Sequence, residues 1–458
     1  MVPKLIRYSL VGAILNILFF IPPCFSGPKN FIVMISDGCG YGPIRATEFW
    51  NGHKQPYEHF PLVCAMSTYS QESLLIDSTG YSADSIAADF NYLLRRPTDS
   101  AAAATTMSTG VKTYNVAIGV NPGHQNLLHF SERCEALGMS TGVVTTVQFV
   151  HATPAGFVAH DVHRRNYREI ALEILDSNAC EVIIGKRNPF FDDDGNPIAE
   201  KDADYEFVGG KVAWDGLIGG KIGGDQDGDG DRDRWTVIES KEEFQYLATG
   251  DTPKRLCGIP KVHTTLQQKR SPLVGRNDPQ APFTTPFNKG VPTLTEMTAA
   301  ALNVLDNDPD GFFVMIEGGA IDWANHANQI GRAIEEESDF NAAVGAVESW
   351  VEQNSSWEET ILMITADHEC GYLLGSKSDL GEPGAPPRYF DVGDKGAGQV
   401  PDFHYFSKDH TNSLVPFFAK GNGVEVLKLL ADQHDPHRGR YLDNSEMGAT
   451  LFRLLEGK

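Results

Sequence analysis

A serine preceded by an aspartate opens a run of small residues, Asp99-Ser100-Ala101-Ala102-Ala103-Ala104-Thr105, and Met107-Ser108-Thr109-Gly110 follows. Helix-favouring residues behind Ser100 put its hydroxyl at a helix N-terminus. Unpaired N–H groups and the positive end of the helix dipole there favour an anion such as phosphate. Serine is also an ordinary N-cap, so other residues must decide whether it reacts. Carboxylates and histidines supply that chemistry. Asp37 and Glu317 each follow an apolar run, Asp322 and His326 stand at i, i+4, Asp367-His368 close another run, and His410 precedes one more. Histidine nitrogens mixed with carboxylate oxygens suit zinc, and an oxygen-only set suits magnesium. A strand-end Asp or His taken singly is usually just solvated. Four strand ends each offering a ligand, with Asp322 and His326 beside them, read better as a metal centre.

The elements that position these residues are legible as apolar runs bounded by turn residues. Phe31–Ile35 lies between Lys29-Asn30 and Ser36-Asp37-Gly38, and similar runs stand at 142–146, 182–184, 312–316, 361–364 and 414–418. Continuous apolar runs of this length predict strands buried on both faces. Between them, Leu127–Leu137 reads as a helix ending at Gly138. Thr293 with Glu296 forms a capping box before Met297–Leu305. Phe340, Ala343, Val344, Val347, Trp350 and Val351 keep helical spacing. Alternating strands and helices predict a layered α/β fold with a largely parallel sheet, whose ligand sites lie beyond the strand ends. From about 187 to 290 the periodicity fails in an Asp-, Gly- and Pro-rich stretch, which predicts a surface insertion.

The chain of 458 residues carries 38 Lys+Arg against 61 Asp+Glu, a net charge of −23. That balance argues against nucleic acid or an anionic membrane as partner, and bound cations would have to reverse the field for an anionic substrate. Lys4 and Arg7 precede an apolar stretch from Ser9 to Pro23, with small residues at −3 and −1 of a cut after Ser26. This predicts a signal peptide over 1–26, export to the periplasm or exterior, and no membrane span after cleavage. The mature domain would then run over 27–458. Six cysteines remain beyond it: Cys39, Cys64, Cys134, Cys180, Cys257 and Cys370. They form no CxxC pair, and their disulfide pairing stays open.

The stretch Thr98–Thr105, continued by Ser108-Thr109-Gly110-Val111-Lys112-Thr113-Tyr114-Asn115, resembles the nucleophile signature of the metal-dependent alkaline phosphatases. The likeness runs on in order through His151-Ala152-Thr153-Pro154-Ala155, Val158-Ala159-His160 up to Arg164, Glu317–Asp322, Asp367-His368 and His410-Thr411. It implies a three-layer sandwich, a central sheet flanked by helices, and a secreted phosphate monoesterase with two zinc ions and one magnesium. Ser100 would be the nucleophile that becomes phosphoserine. Asp322, His326 and His410 would hold the first zinc, and Asp37, Asp367 and His368 the second. Asp37 would also reach a magnesium bound by Thr153 and Glu317. Arg164 would grip the phosphate, where a planar guanidinium can meet two oxygens. Zinc lowers the pKa of a serine hydroxyl, and a second zinc stabilises the leaving oxygen and supplies hydroxide.

Two positions depart from some bacterial members: His151 and Trp323 stand where those carry aspartate and lysine. Imidazole beside the third site weakens the case for magnesium there, and Trp323 removes a positive contact to phosphate. Asp225, Asp227 and Asp229 fit the first half of a calcium loop, but the twelfth position is Thr236 and a solvated acidic loop is the alternative. Rival functions are a phosphodiesterase or sulfatase of the same superfamily and a non-catalytic phosphate- or metal-binding protein. The natural phosphoester and the oligomeric state, with a homodimer among the options, are left open.

Overall fold

The computed structural model describes residues 27–457 apart from 77, 79, 177–179, 225–231 and 382–386. The candidate signal segment and the candidate calcium loop at Asp225, Asp227 and Asp229 lie outside the described residues.

Eleven strands form one sheet: β1 Asn30–Ser36, β2 Leu62–Ser67, β3 Ser140–Gln148, β4 Val182–Lys186, β5 Thr236–Ile238, β6 Leu256–Gly258, β7 Phe312–Gly318, β8 Thr360–Thr365, β9 Val415–Gly421, β10 Gln433–Asp435 and β11 Gly439–Asp443. Their order is β10-β11-β2-β9-β8-β1-β7-β3-β4-β6-β5. Every pairing is parallel except those of β9 with β2 and β8 and of β10 with β11. Every residue of β1, β7 and β8 is buried, as a sheet covered on both faces requires.

Six helices matter most: α1 Tyr41–Asn51, α2 Ser100–Thr109, α3 Ala152–Val158, α4 Leu294–Leu305, α5 Ala320–His326 and α6 Ile330–Asn354. One group packs α1 and α4 on α6, and another packs α2 on α3 and on the C-terminal helix Asn444–Leu455. The expected capping box holds α4, with the Thr293 side chain accepting from Glu296 N. The architecture is the expected largely parallel α/β sandwich.

The stretch at 187–290 departs from the simple surface insertion that its composition suggests. It contributes β5 and β6 to the sheet edge, β6 pairing with β4, and two short helices, Lys211–Ile218 and Lys241–Leu247. Three-residue strands are too short to display a period, and β6 is buried throughout, so no alternation announces it. The helix expected over 127–137 is confined to Phe130–Glu135. The six cysteines from Cys39 to Cys370 are free and buried. Among the described residues no helix is long and apolar enough to cross a membrane.

Candidate active site

Sheet register gathers the acidic side chains. Ile35 pairs with Glu317 on one side and Thr365 on the other. Just past the ends of these neighbouring strands stand Asp37 and Asp367. Thr145 on β3 pairs with Glu317, and its hydroxyl donates to Glu317 Oε2. Strand β9 runs antiparallel to β8, so its start lies at the same edge as the other strands' ends. That brings in His410, whose two-residue strand His410–Thr411 pairs with Glu369–Cys370 just beyond β8. Asp322 and His326 come from one face of α5.

Gly38 makes the crowding possible. Its φ is +66°, and a Cβ there would lie 2.6 Å from Asp322 Oδ1. Only glycine takes that conformation without strain while admitting the neighbouring carboxylate. Similarly, a Cβ on Gly156 of α3 would come within 2.7 Å of the Ala104 Cβ, so this glycine lets α3 and α2 close up behind the serine.

Ser100 begins α2 and is 2 % exposed. The cap is Asp99, whose Oδ1 accepts from Ala102 N at 3.0 Å, and Ser100 Oγ lies 3.1 Å from His368 Nε2. Asp99 Oδ2 also holds Arg164 Nη1 at 2.9 Å, and Arg164 Nη2 sits 3.4 Å from His151 Nε2. The His151 ring meets Trp323 edge to face, centroids 5.7 Å apart. Burial, then the Arg164 charge, pull His151 down to about 3, so it stands here as a neutral imidazole.

Three groups of donor atoms converge, each within 4.8 Å of one another: Asp322, His326, Cys370 and His410; Asp37, Asp322 and His368; and Asp37, His151 and Glu317. In the first, His326 Nδ1 lies 2.6 Å from the Lys408 carbonyl and His410 Nδ1 lies 2.9 Å from that of Thr98. Each ring therefore donates through Nδ1, and the bare Nε2 atoms face each other at 3.1 Å. Backbone carbonyls orient metal-binding imidazoles in just this way. In the second, His368 Nε2 stands 3.6 Å from Asp37 Oδ1 and 3.2 Å from Asp367 Oδ2, while Asp367 Oδ1 accepts from Gly38 N and His368 N.

Buried polar atoms normally find hydrogen-bond partners, yet Asp37 Oδ1 and Oδ2, Asp322 Oδ1, Asp367 Oδ2, Glu317 Oε1, Thr153 Oγ1, His151 Nδ1 and His368 Nδ1 make no hydrogen bond. Burial, with Asp367, Asp322 and Glu317 alongside, drives the Asp37 carboxyl far above the usual carboxylate range, and burial lifts Glu317 to about 7. Four acidic side chains packed with unsatisfied oxygens are costly unless cations neutralise them. The donor set therefore fits bound divalent ions, nitrogen-rich at one end and oxygen-rich near Glu317 and Thr153.

All twelve residues singled out from the sequence lie in or beside this constellation. Two were not singled out there as site residues: Asp99, whose signal was its N-cap place before Ser100, and Cys370, which stands two residues after His368.

A family profile described as alkaline phosphatase matches residues 28–384. Alkaline phosphatase 3 of Bacillus subtilis is 32 % identical over 416 residues, 88 % of this chain and 71 % of that protein. The alkaline phosphatase of Escherichia coli is 29 % identical over 426 residues, 89 % of this chain and 84 % of its own. Among solved structures, the alkaline phosphatase of the Antarctic bacterium TAB5 superposes with a TM-score of 0.62 at 23 % identity, covering 94 % of this chain and 99 % of that one, which attests the fold. Since the matched span runs through the nucleophile segment and both carboxylate-bearing strand ends β7 and β8, the chain belongs to the alkaline phosphatase family and is an enzyme of that class.

Proposed function

We propose that this enzyme hydrolyses phosphate monoesters through a phosphoserine at Ser100, at a centre for two zinc ions and one magnesium. The observation that carries the reading is the coincidence of a buried serine at a helix start with three converging sets of donors, several of whose buried oxygens and nitrogens lack a hydrogen-bond partner. Asp322, His326 and His410 would hold the first zinc, and Asp37, Asp367 and His368 the second. Glu317, Thr153 and Asp37 would hold the magnesium, with His151 beside it. When bound, these ions supply Lewis acidity to the serine and to the leaving oxygen.

Ser100 Oγ attacks phosphorus, the bond to the ester oxygen breaks and the alcohol departs. Water then cleaves the phosphoserine, releasing inorganic phosphate and restoring the hydroxyl. Arg164 presents a planar fork to two phosphate oxygens, and Asp99 fixes that fork while capping the helix that carries Ser100. The positive end of α2 favours the anion. Trp323 borders the site through His151. Export rests on the charged and apolar N-terminus preceding Ser26.

Turnover of p-nitrophenyl phosphate against its bis-ester and sulfate analogues separates this activity from a diesterase or sulfatase. Ser100→Ala lowers kcat by at least about 10³, a loss of about 4 kcal/mol in transition-state stabilisation. An acid-stable phosphoenzyme that persists in Ser100→Ala overturns the assignment.

A further inference from the structure

We propose that a groove beside His326 receives the alcohol half of the substrate, and that Arg276 and Lys408 on its rim favour phosphate monoesters whose alcohol carries a second anionic group; this rests on the phosphomonoesterase reading above. The direction of departure comes first. Ser100 Oγ lies 3.1 Å from His368 Nε2, so attack starts from that end of the centre. Attacking and leaving oxygens stand roughly in line across phosphorus, which sends the alcohol to the far side. The side chains of Asp37, Asp367 and His368 are fully buried, whereas that of His326 is 36 % exposed and that of His410 16 %. The alcohol therefore meets solvent at these two imidazoles.

A groove of about 430 Å³ adjoins them, and Arg276, Asn277, Asn328, Ser407 and Lys408 are among its lining. Backbone contacts tie both of its walls to the helix that bears His326. The Lys408 carbonyl lies 2.6 Å from His326 Nδ1. Asn277 N donates to the Ala327 carbonyl at 2.9 Å, and the Asn277 and Asn328 amides meet at 3.0 Å. Ser407 Oγ donates to the Asp409 carbonyl and accepts from Asp409 N, which fixes the turn that carries Lys408. Among the described residues neither Arg276 nor Lys408 makes an ion pair. Asp278, close to Arg276 in the chain, accepts instead from Gln280 N at 2.8 Å. In a chain of net charge −23, two unpaired cations at this mouth attract an anion locally. The guanidinium can meet a carboxylate or a phosphate with two parallel N–H bonds, and the ammonium adds a point charge.

Two esters with leaving groups of similar basicity read this: 4-methylphenyl phosphate and 4-(carboxymethyl)phenyl phosphate. Wild type is expected to favour the carboxylate ester about fivefold in kcat/KM at low salt, which is what one exposed charge pair delivers. The gain lies in KM, because the contact is the same before and during the reaction, and it fades at high ionic strength. In Arg276→Gln with Lys408→Gln the ratio falls to near one, and in Arg276→Lys with Lys408→Arg it is retained. Calorimetry supplies a readout besides turnover: 4-phosphonobutyrate binds wild type about fivefold more tightly than butylphosphonate, and the double glutamine variant binds the two alike. A ratio near one in wild type, or a preference unchanged in the double glutamine variant, overturns the groove assignment and leaves the phosphomonoesterase standing. A wild type that hydrolyses neither ester overturns that reading, and the phosphonate pair then decides the groove by itself.

Discussion

Asp99 joins three things at one side chain: it caps α2, takes Val116 N at 3.1 Å and ion-pairs Arg164. The helix start that carries Ser100 and the Arg164 guanidinium are therefore held by one side chain. His151 lies on the other side of that fork, with Trp323 against its ring. Aspartate at 151 would add a charged oxygen donor beside Glu317 and Thr153, which suits magnesium better than imidazole does. Lysine at 323 would add an ammonium near bound phosphate. The double variant His151→Asp with Trp323→Lys is expected to bind inorganic phosphate more tightly and to depend more steeply on added magnesium. Its kcat falls where product release limits turnover. Phosphate inhibition constants and magnesium titrations on both proteins check this; unchanged values would remove the two positions from the site.

At the scale of elements, α6 is unusual in burying a run of acidic side chains, Glu335, Glu336 and Glu337. Each meets a different environment. Glu335 pairs with Arg270 at 2.9 Å and Arg332 at 3.1 Å, and Glu337 accepts from Ser36 and Tyr57. Glu336 keeps an unpartnered Oε1, and burial, then Asp339 and Glu335, push its carboxyl up to about 8 despite Arg270 and Arg332. An acid whose folded pKa is raised costs nothing while protonated in both states. Stability is therefore full below its unfolded pKa of about 4.3, falls as pH rises from there to about 8 because the unfolded chain ionises first, and levels off above that. Glu336→Gln is expected to gain on wild type progressively from about pH 4.3 to about 8 and to keep a constant advantage above that. Lys186, held far below the lysine range by burial although Asp339 and Glu336 oppose this, runs in the opposite direction. Urea midpoints of the two proteins from pH 5 to 9.5 read this gain, and parallel curves would refute it.

Taken whole, a chain of net charge −23 concentrates four buried carboxylates, Asp37, Glu317, Asp322 and Asp367, at the one edge that must receive an anion. Cations that bind only the folded state reconcile these demands. They stabilise by mass action, about 4 kcal/mol when free ion exceeds Kd roughly a thousandfold, and they reverse the local field. Exhaustive chelation is therefore expected to abolish phosphatase activity and to lower the Tm together, with both restored by added zinc and magnesium. Activity and melting temperature that survive prolonged chelation would dismiss the metal centre.

Much of this was legible in one dimension, for a physical reason. Buried parallel strands are continuous apolar runs, and the residue after such a run stands at the ligand edge, so Asp37, Glu317 and Asp367-His368 announce themselves by position. Ser100 does so through the small-residue helix behind it. Tertiary structure alone decided the rest. The antiparallel sense of β9 carries His410 to the edge where the parallel strands end. Pairing of His410 with Cys370 turns a thiol into a neighbour of two imidazoles, although no spacing motif links 370 to 322 or 326. Strands β5 and β6 exist because β4 offers an open edge to bond with, which three residues of sequence cannot signal. Local order follows from neighbours along the chain, whereas the meeting of donors from β1, α5, β8 and the approach to β9 follows from register and strand direction, which only the folded sheet sets.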